Sequence, residues 1–147
     1  MREIKYKAYH KILHEMCNVL LICFVNRYVD VLPYRNLEGG TQESWGFDDI
    51  SLREYTGLKD KNGTEIYEGD IVDIWHEDYE EEKSRGCVKW NVGGGYPAFD
   101  IYLKTNRHNL GWDAFSYEYN SFSCYENMIE VIGNIYENPE LLQEQGE

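Results

Sequence analysis

The stretch that decides the fold is Tyr55-Thr56-Gly57-Leu58-Lys59-Asp60-Lys61-Asn62-Gly63-Thr64-Glu65-Ile66-Tyr67-Glu68-Gly69-Asp70-Ile71-Val72. Asp60-Lys61-Asn62-Gly63 reads as a turn, because Asn-Gly tolerates the positive φ of a tight reversal. Residues 64–67 then read as a short strand. Glu68-Gly69-Asp70 is a second reversal, and Ile71-Val72-Asp73-Ile74-Trp75 leaves it as another strand. Gly57, Gly63 and Gly69 stand where backbone must reverse or approach closely. Asp60 and Asp70 are placed to bond nearby amides, and Ile66, Ile71 and Val72 supply core.

Toward the C-terminus the same grammar repeats. Cys87-Val88-Lys89-Trp90-Asn91-Val92 alternates, Gly93-Gly94-Gly95 ends it as a hairpin turn, and residues 96–103 begin another strand. Residues 112–119 carry Phe115, Tyr117 and Tyr119 at period two, and residues 128–135 are again rich in β-formers. Several short strands at turn-limited spacing predict a small barrel or sandwich. The sequence Asn138-Pro139-Glu140-Leu141-Leu142 predicts a helix of about two turns, with Asn to cap, Pro at the first position and Glu on the positive end of the dipole.

Toward the N-terminus, Arg2-Glu3-Ile4-Lys5-Tyr6-Lys7-Ala8-Tyr9 alternates as a half-buried strand does. Residues 11–25 carry two readings. Ile12, Leu13, Met16, Val19, Leu20 and Cys23 recur at helical spacing, while residues 19–31 have the Val, Ile, Phe and Tyr content of strands. Strands are favoured after about Asn18, with Asn26 punctuating a turn. From residue 33 to 49 the pattern dissolves into loop with one or two aromatic anchors, and residues 51–55 suit either a helical turn or the start of a strand.

The central stretch resembles the signature of the YopX family of phage and prophage proteins. Arg2-Glu3-Ile4-Lys5-Tyr6-Lys7-Ala8-Tyr9 is similar to that family's opening strand, and Val131-Ile132-Gly133-Asn134-Ile135-Tyr136-Glu137-Asn138-Pro139-Glu140-Leu141-Leu142 to its closing segment. The matches stand at the start, middle and end, in the family's order. The Val19-Leu20-Leu21-Ile22-Cys23-Phe24-Val25 run is more apolar than the resemblance leads one to expect. The resemblance implies an α+β N-terminal part followed by an SH3-like β-barrel, in phages and prophages of Gram-positive bacteria, with assembly as homo-oligomers. It carries no catalytic residue with it.

The resulting expectation is a mainly β, α+β chain. Residues 1–54 form an N-terminal strand-rich subdomain and loop, 55–137 an SH3-like barrel, and 138–147 a short C-terminal helix and tail. The structural signature is Gly57, Asp60, Gly63, Ile66, Tyr67, Glu68, Gly69 and Asp70. The chain carries more large aromatics than a barrel of about 80 residues can easily bury, so Tyr67, Trp75, Trp90, Tyr96 and Trp112 are expected to form a contact surface, as exposed Tyr and Trp do at interfaces.

Charge sets the function classes. The 147 residues hold 14 Lys and Arg against 27 Asp and Glu, a formal net charge of −13. Residues 1–50 carry 6 basic and 7 acidic groups, so nearly all of the excess, −12, lies in residues 51–147. Such a chain repels duplex DNA and anionic lipid and gives none of the counterion release that drives DNA binding. Plain solubility accounts for such a charge, and the sharper alternative is attraction to a basic surface on another protein. The run His76-Glu77-Asp78-Tyr79-Glu80-Glu81-Glu82 reads as a solvated turn. The apolar run of residues 19–25 is far short of the roughly 20 residues that span a bilayer, and it lacks a signal peptide's cleavage site. With four scattered cysteines, the expectation is a soluble protein of the bacterial host cytoplasm.

Candidate chemistry is sparse. His10 and His14, with Cys17 beyond, have helical zinc spacing, but a strand scatters them and no glutamate follows His10. Asp60, Asn62 and Gly63 hint at a calcium loop. Aligning Gly63 with the invariant glycine puts Leu58 at the first ligand position and Gly69 at the bidentate glutamate, and neither can serve. Gly93-Gly94-Gly95 lacks the Lys-Ser/Thr of a phosphate loop. Cys87 and Cys124 have no CxxC partner and read as small buried hydrophobes. Adjacent carboxylates such as Asp48-Asp49 face opposite sides of extended chain. No acid, base, nucleophile, metal or cofactor set assembles. The expectation is therefore a non-enzymatic accessory protein acting through protein contacts, as a homo-oligomer or on a host or phage protein. The alternatives are an acidic inhibitor of a host DNA-binding protein and a single-stranded nucleic-acid binder stacking bases on barrel aromatics.

Overall fold

A computed structural model describes residues 3–36, 38–76, 79–90, 99–103 and 128–143. The chain is mainly β and divides into two compact units, Met1–Tyr55 and Thr56–Glu147.

The first unit holds β1 (Tyr6–His10), β2 (Glu15–Cys23), β3 (Tyr28–Pro33), β4 (Glu43–Gly46) and the start of β5 (Ile50–Lys59). These strands lie in a six-stranded sheet of order β4-β3-β2-β1-β5-β6, with β6 at Glu65–Tyr67. One face buries Ala8, Cys17, Val29, Val31, Trp45 and Ile50, with Val19, Ile22, Phe47 and Leu52 packed against them.

The helical spacing over residues 12–23 does not form a helix: Ile12 and Leu13 lie exposed in the turn before β2, and residues 15–23 are strand. The register of β2 on β3 pairs Val19 with Val31 and then Leu21 with Asp30, so a bulge removes Leu20 from the ladder. An extra residue shifts the two-residue alternation by one, so the core face carries Cys17, Val19 and Ile22 rather than the helically spaced set. The segment expected to be loop contains β4, four residues long, flanked by 3-10 turns at Tyr34–Asn36 and Phe47–Asp49.

The histidines belong to the β1–β2 turn. His10 Nδ1 accepts the Ile12 and Leu13 amides at 3.3 and 3.2 Å. The His14 amide donates to the His10 carbonyl at 2.9 Å, and the Tyr9 hydroxyl meets His14 Nδ1 at 2.9 Å. Among the described residues no cluster of His, Cys, Asp and Glu could hold a metal ion. Burial pushes the Cys17 thiol up to about 12, which makes it a poor nucleophile.

The second unit adds β7 (Asp70–His76), β8 (Tyr79–Trp90), β9 (Phe99–Leu103) and β10 (Ile129–Asn134), an antiparallel sheet of order β10-β7-β8-β9. Its core is Ile66, Val72, Ile74, Val88, Phe99, Ile101 and Ile129, with Leu58 and Val131 against it. Among the described residues no ladder closes this sheet into a barrel. Residues 79–82 of the acidic run belong to β8 rather than to a turn.

The C-terminal helix is corrected to a 3-10 turn at Pro139–Leu142. Asn138 does not cap it, because its side-chain oxygen accepts the Asn134 amide at 3.4 Å. Two turns of isolated α-helix cannot offset the cost of nucleation, so the backbone closes with the shorter bonds Leu141 N–H to Asn138 O and Gln143 N–H to Glu140 O. Leu141 and Asn138 seat on Gly133, where a Cβ would lie 2.9 Å from Leu141 Cδ1 and 2.7 Å from Asn138 Oδ1. The hairpin expected at residues 93–95, the strand at 112–119 and Cys124 lie outside the described residues.

Candidate functional site

The signature stretch is organised by Asp60, which is 5% exposed. Its Oδ1 accepts the amides of Asn62 at 2.8 Å and Thr64 at 2.9 Å, and its Oδ2 accepts the amide of Val131 at 2.9 Å. The Lys61 amide donates to the Ile129 carbonyl at 3.0 Å. In β10, Glu130 pairs with Asp73 of β7, so Ile129 and Val131 turn their backbone groups toward the outer edge of the sheet. The turn supplies the partners a further strand would have supplied, and a polar edge is thereby covered. Gly63 closes the turn at φ 80°, a left-handed conformation that side chains disfavour.

The second reversal works the same way. Asp70 Oδ2 accepts the Tyr67 amide at 2.8 Å. The Gly69 amide donates to Val88 O at 2.7 Å, and Gly69 O accepts the Ile135 amide at 2.9 Å. Thr56 Oγ1 donates to Ile66 O at 2.7 Å and joins β5 to β6. The carboxylates of Asp60 and Asp70 are bonded to backbone, and Glu68 stands half-buried beside Gly69.

Asp73 lies 2% exposed on β7. Arg85 grips it with Nε at 2.7 Å and Nη2 at 3.0 Å, and Lys83 Nζ reaches it at 2.8 Å. Burial alone would raise the Asp73 carboxyl, but the hydrogen bonds and charge of Arg85 and Lys83 outweigh it and hold the group below the usual carboxylate range. Arg85 Nη1 also donates to Leu141 O at 3.3 Å and fastens the C-terminal turn. Trp75, next on this face, has Lys61 Nζ 4.0 Å and Lys83 Nζ 5.8 Å from its ring centroid. Lys61 pairs in turn with Glu130 at 3.3 Å.

The expected contact surface does not assemble as one face. Tyr67 is 4% exposed, with its hydroxyl donating to Glu65 at 2.8 Å, so it is core rather than surface. Trp75 pairs with Lys83 in the β7–β8 ladder. Trp90 is seven residues further along β8, which puts it on the opposite face, edge-on to Phe99 at 4.9 Å. Tyr96 and Trp112 lie outside the described residues. Sequence reasoning passed over the Asp73–Arg85–Lys83 cluster, whose signal is the one charged residue inside Ile71-Val72-Asp73-Ile74-Trp75. It also left unused the apolar end of the β2–β3 hairpin, where Leu20, Leu21, Phe24 and Val25 are exposed.

No helix among the described residues is long and apolar enough to cross a membrane. A family model described as YopX protein matches residues 5–143. The crystal structure of protein EF1440 from Enterococcus faecalis is similar over 97% of this chain and 100% of that one, at 26% identity and a TM-score of 0.58. Curated proteins give no match.

Proposed function

This chain belongs to the YopX protein family, and from that premise we propose that it is a non-enzymatic phage or prophage accessory protein that works in the host cytoplasm through protein contacts, as a homo-oligomer. We read the four-stranded sheet as part of an SH3-like barrel, with β7 and β8 as its long central strands. One observation supports the absence of chemistry in the signature. Asp60 and Asp70 both direct carboxylate oxygens at backbone amides of their own turns, so the residues that identify the family hold backbone in place. The oligomer is tested by light scattering of the full chain across micromolar concentration. A mass above one chain is expected, and a single-chain mass throughout would sink this reading.

The charge supports a second reading, an acidic inhibitor of a host DNA-binding protein, since −12 is concentrated in residues 51–147. Capture from host lysate followed by a salt titration separates the two. A partner held by charge leaves by about 0.5 M salt, where the Debye length has shrunk below about 5 Å, whereas an apolar self-contact persists.

A further inference from the structure

Asn62-Gly63 is the single Asn-Gly step of the sequence, and it lies at the tip of the signature turn. Both residues are exposed. A Cβ built on Gly63 would meet nothing within 4 Å, so no neighbour shields the peptide bond between them. The contact of the Asn62 side chain is a long one, Nδ2 to Glu130 Oε1 at 3.4 Å. The amide carbon of that side chain stands one residue before the backbone nitrogen of Gly63, and a residue without a side chain leaves that nitrogen unhindered and its backbone free to turn. These are the two groups that react when an asparagine closes on its own main chain as a cyclic imide.

The folded turn restrains the reacting nitrogen. The Gly63 amide donates to the Asp60 carbonyl at 3.0 Å, and the Asp60 amide donates to the Thr64 carbonyl at 2.8 Å. Asp60 Oδ1 fixes the amides on either side of Gly63, those of Asn62 and Thr64, at 2.8 and 2.9 Å. A nitrogen engaged in this way must leave its bond before it can attack, so reaction runs through the open fraction of the turn. Asp60 accepts at its carbonyl and at its carboxylate, and it is the residue that keeps that fraction small.

We propose that Asn62-Gly63 is a site of spontaneous backbone modification, gated by the Asp60 turn, whose product is isoaspartate and whose effect is to uncover the outer edge of β10. In the open turn the Gly63 nitrogen attacks Asn62 Cγ. The N–Cγ bond forms, the Cγ–Nδ2 bond breaks, and Nδ2 leaves as ammonia with the proton that the Gly63 nitrogen gives up. Water, the co-reactant, then opens the imide. Opening at Cγ leaves aspartate at position 62, and opening at the backbone carbonyl leaves isoaspartate, with the main chain rerouted through Cβ and Cγ. Nothing is oxidised or reduced. Either product puts a negative charge where Asn62 Nδ2 faces the Glu130 carboxylate. Isoaspartate also adds a carbon to the main chain inside the loop that the Asp60 bonds close. The turn then no longer closes on the same bonds, and the Ile129 carbonyl and Val131 amide lose the Lys61 amide and Asp60 Oδ2. A strand edge with unpaired polar groups is a template for another strand.

Timed incubation of the full chain at mildly alkaline pH tests this, read by peptide mass mapping and by isoaspartate-specific enzymatic methylation. The natural chain is compared with itself in urea, with Asp60→Ala and with Asn62→Gln, whose longer side chain disfavours the ring. Isoaspartate at position 62 is expected in the folded natural chain, more slowly than in urea, and not in Asn62→Gln. It should form at least tenfold faster in Asp60→Ala, the change that about 1.4 kcal/mol of lost turn stability gives. Hydrogen exchange at the Gly63 amide needs the same opening, so its protection in the natural chain should equal the factor by which folding slows conversion, a check that does not depend on Asp60→Ala folding. Exchange at Val131 should rise once the chain has converted. Conversion as fast in the folded chain as in urea, or a Gly63 amide that exchanges freely while conversion is slow, removes the gate. Absence of isoaspartate at position 62 from the folded natural chain and from Asp60→Ala removes the site. A converted chain with unchanged exchange at Val131 overturns the uncovering of β10.

Discussion

The two units are both antiparallel β, and they differ in where they put the side chains that break the alternation. In the second unit the exceptions are carboxylates turned inward. Asp60, Asp70 and Asp73 are all buried, and each is matched to amides or cations. The first unit buries Arg53 and His10, and it also has many apolar side chains turned outward, Ile4, Ile12, Leu13, Leu20, Leu21, Phe24 and Val25 among them. A buried carboxylate needs a complete set of donors and so acts on its own backbone. An exposed apolar side chain has no partner within its own strand and leaves free energy for another surface. The residues that look most like a motif are therefore bonded into their own backbone, whereas the exposed apolar side chains of the first unit have no such role.

The sharpest way to break this contrast is Asp60→Ala. The substitution leaves the amides of Asn62, Thr64 and Val131 without their acceptor; a donor orphaned in the interior costs about 1–3 kcal/mol, and those of the exposed residues Asn62 and Thr64 cost less. Some regain water, so the expected loss is about 3–5 kcal/mol in urea unfolding of the second unit. Hydrogen exchange at Val131 should rise with it. A loss below about 1 kcal/mol would show that the turn holds without its carboxylate, and the architectural reading of the signature would fail.

Asp73→Asn is the next largest. It keeps the shape but discharges the group between Arg85 and Lys83, and it is expected to cost about 2–3 kcal/mol, reduced from the full price of breaking a buried ion pair because both cations reach solvent. The pH dependence has a definite sign. The Asp73 carboxyl is held below its ordinary value in the folded chain, so its contribution is complete above the unfolded value of about 3.9 and is lost as pH falls through the lower folded value. An acid titration of stability below about pH 4 should be steeper in the natural chain than in Asp73→Asn. Equal slopes would remove Asp73 from the acid response.

How far the sequence carries the reader follows the same division. Turns fixed by backbone chemistry are legible. Asn62-Gly63 and Glu68-Gly69-Asp70 reverse the chain as expected, and β6, β7 and β10 follow where β-branched and aromatic residues cluster, whereas β8 begins eight residues before the strand expected at Cys87, inside the acidic run. What escapes is set by pairing rather than by residue type. The bulge at Leu20 depends on the partner strand, so periodicity alone reads part of β2 as helix. Four residues of β4 are too few to show alternation. The tryptophans at 75 and 90 read as one surface until the β7–β8 register separates them to opposite faces. Asp73 looks like an ordinary solvated strand position, because nothing local announces that Arg85, twelve residues away, will close over it.

The smallest effect on stability comes from the first unit's exception. Phe24 and Val25 sit at the hairpin turn with most of their surface in water, so Phe24→Asp/Val25→Asp removes little buried area. The expected change in unfolding free energy is within about 0.5 kcal/mol, the range of ordinary surface substitutions. Some loss remains because Phe24 touches Phe47 edge-on, a contact of about 0.5–1.5 kcal/mol when fully made and less at an exposed tip. Measured where the natural chain is monomeric, a loss above about 2 kcal/mol would mean that these side chains support their own fold. The contrast between carboxylates turned inward and apolar side chains turned outward would then no longer mark which residues hold their own unit together.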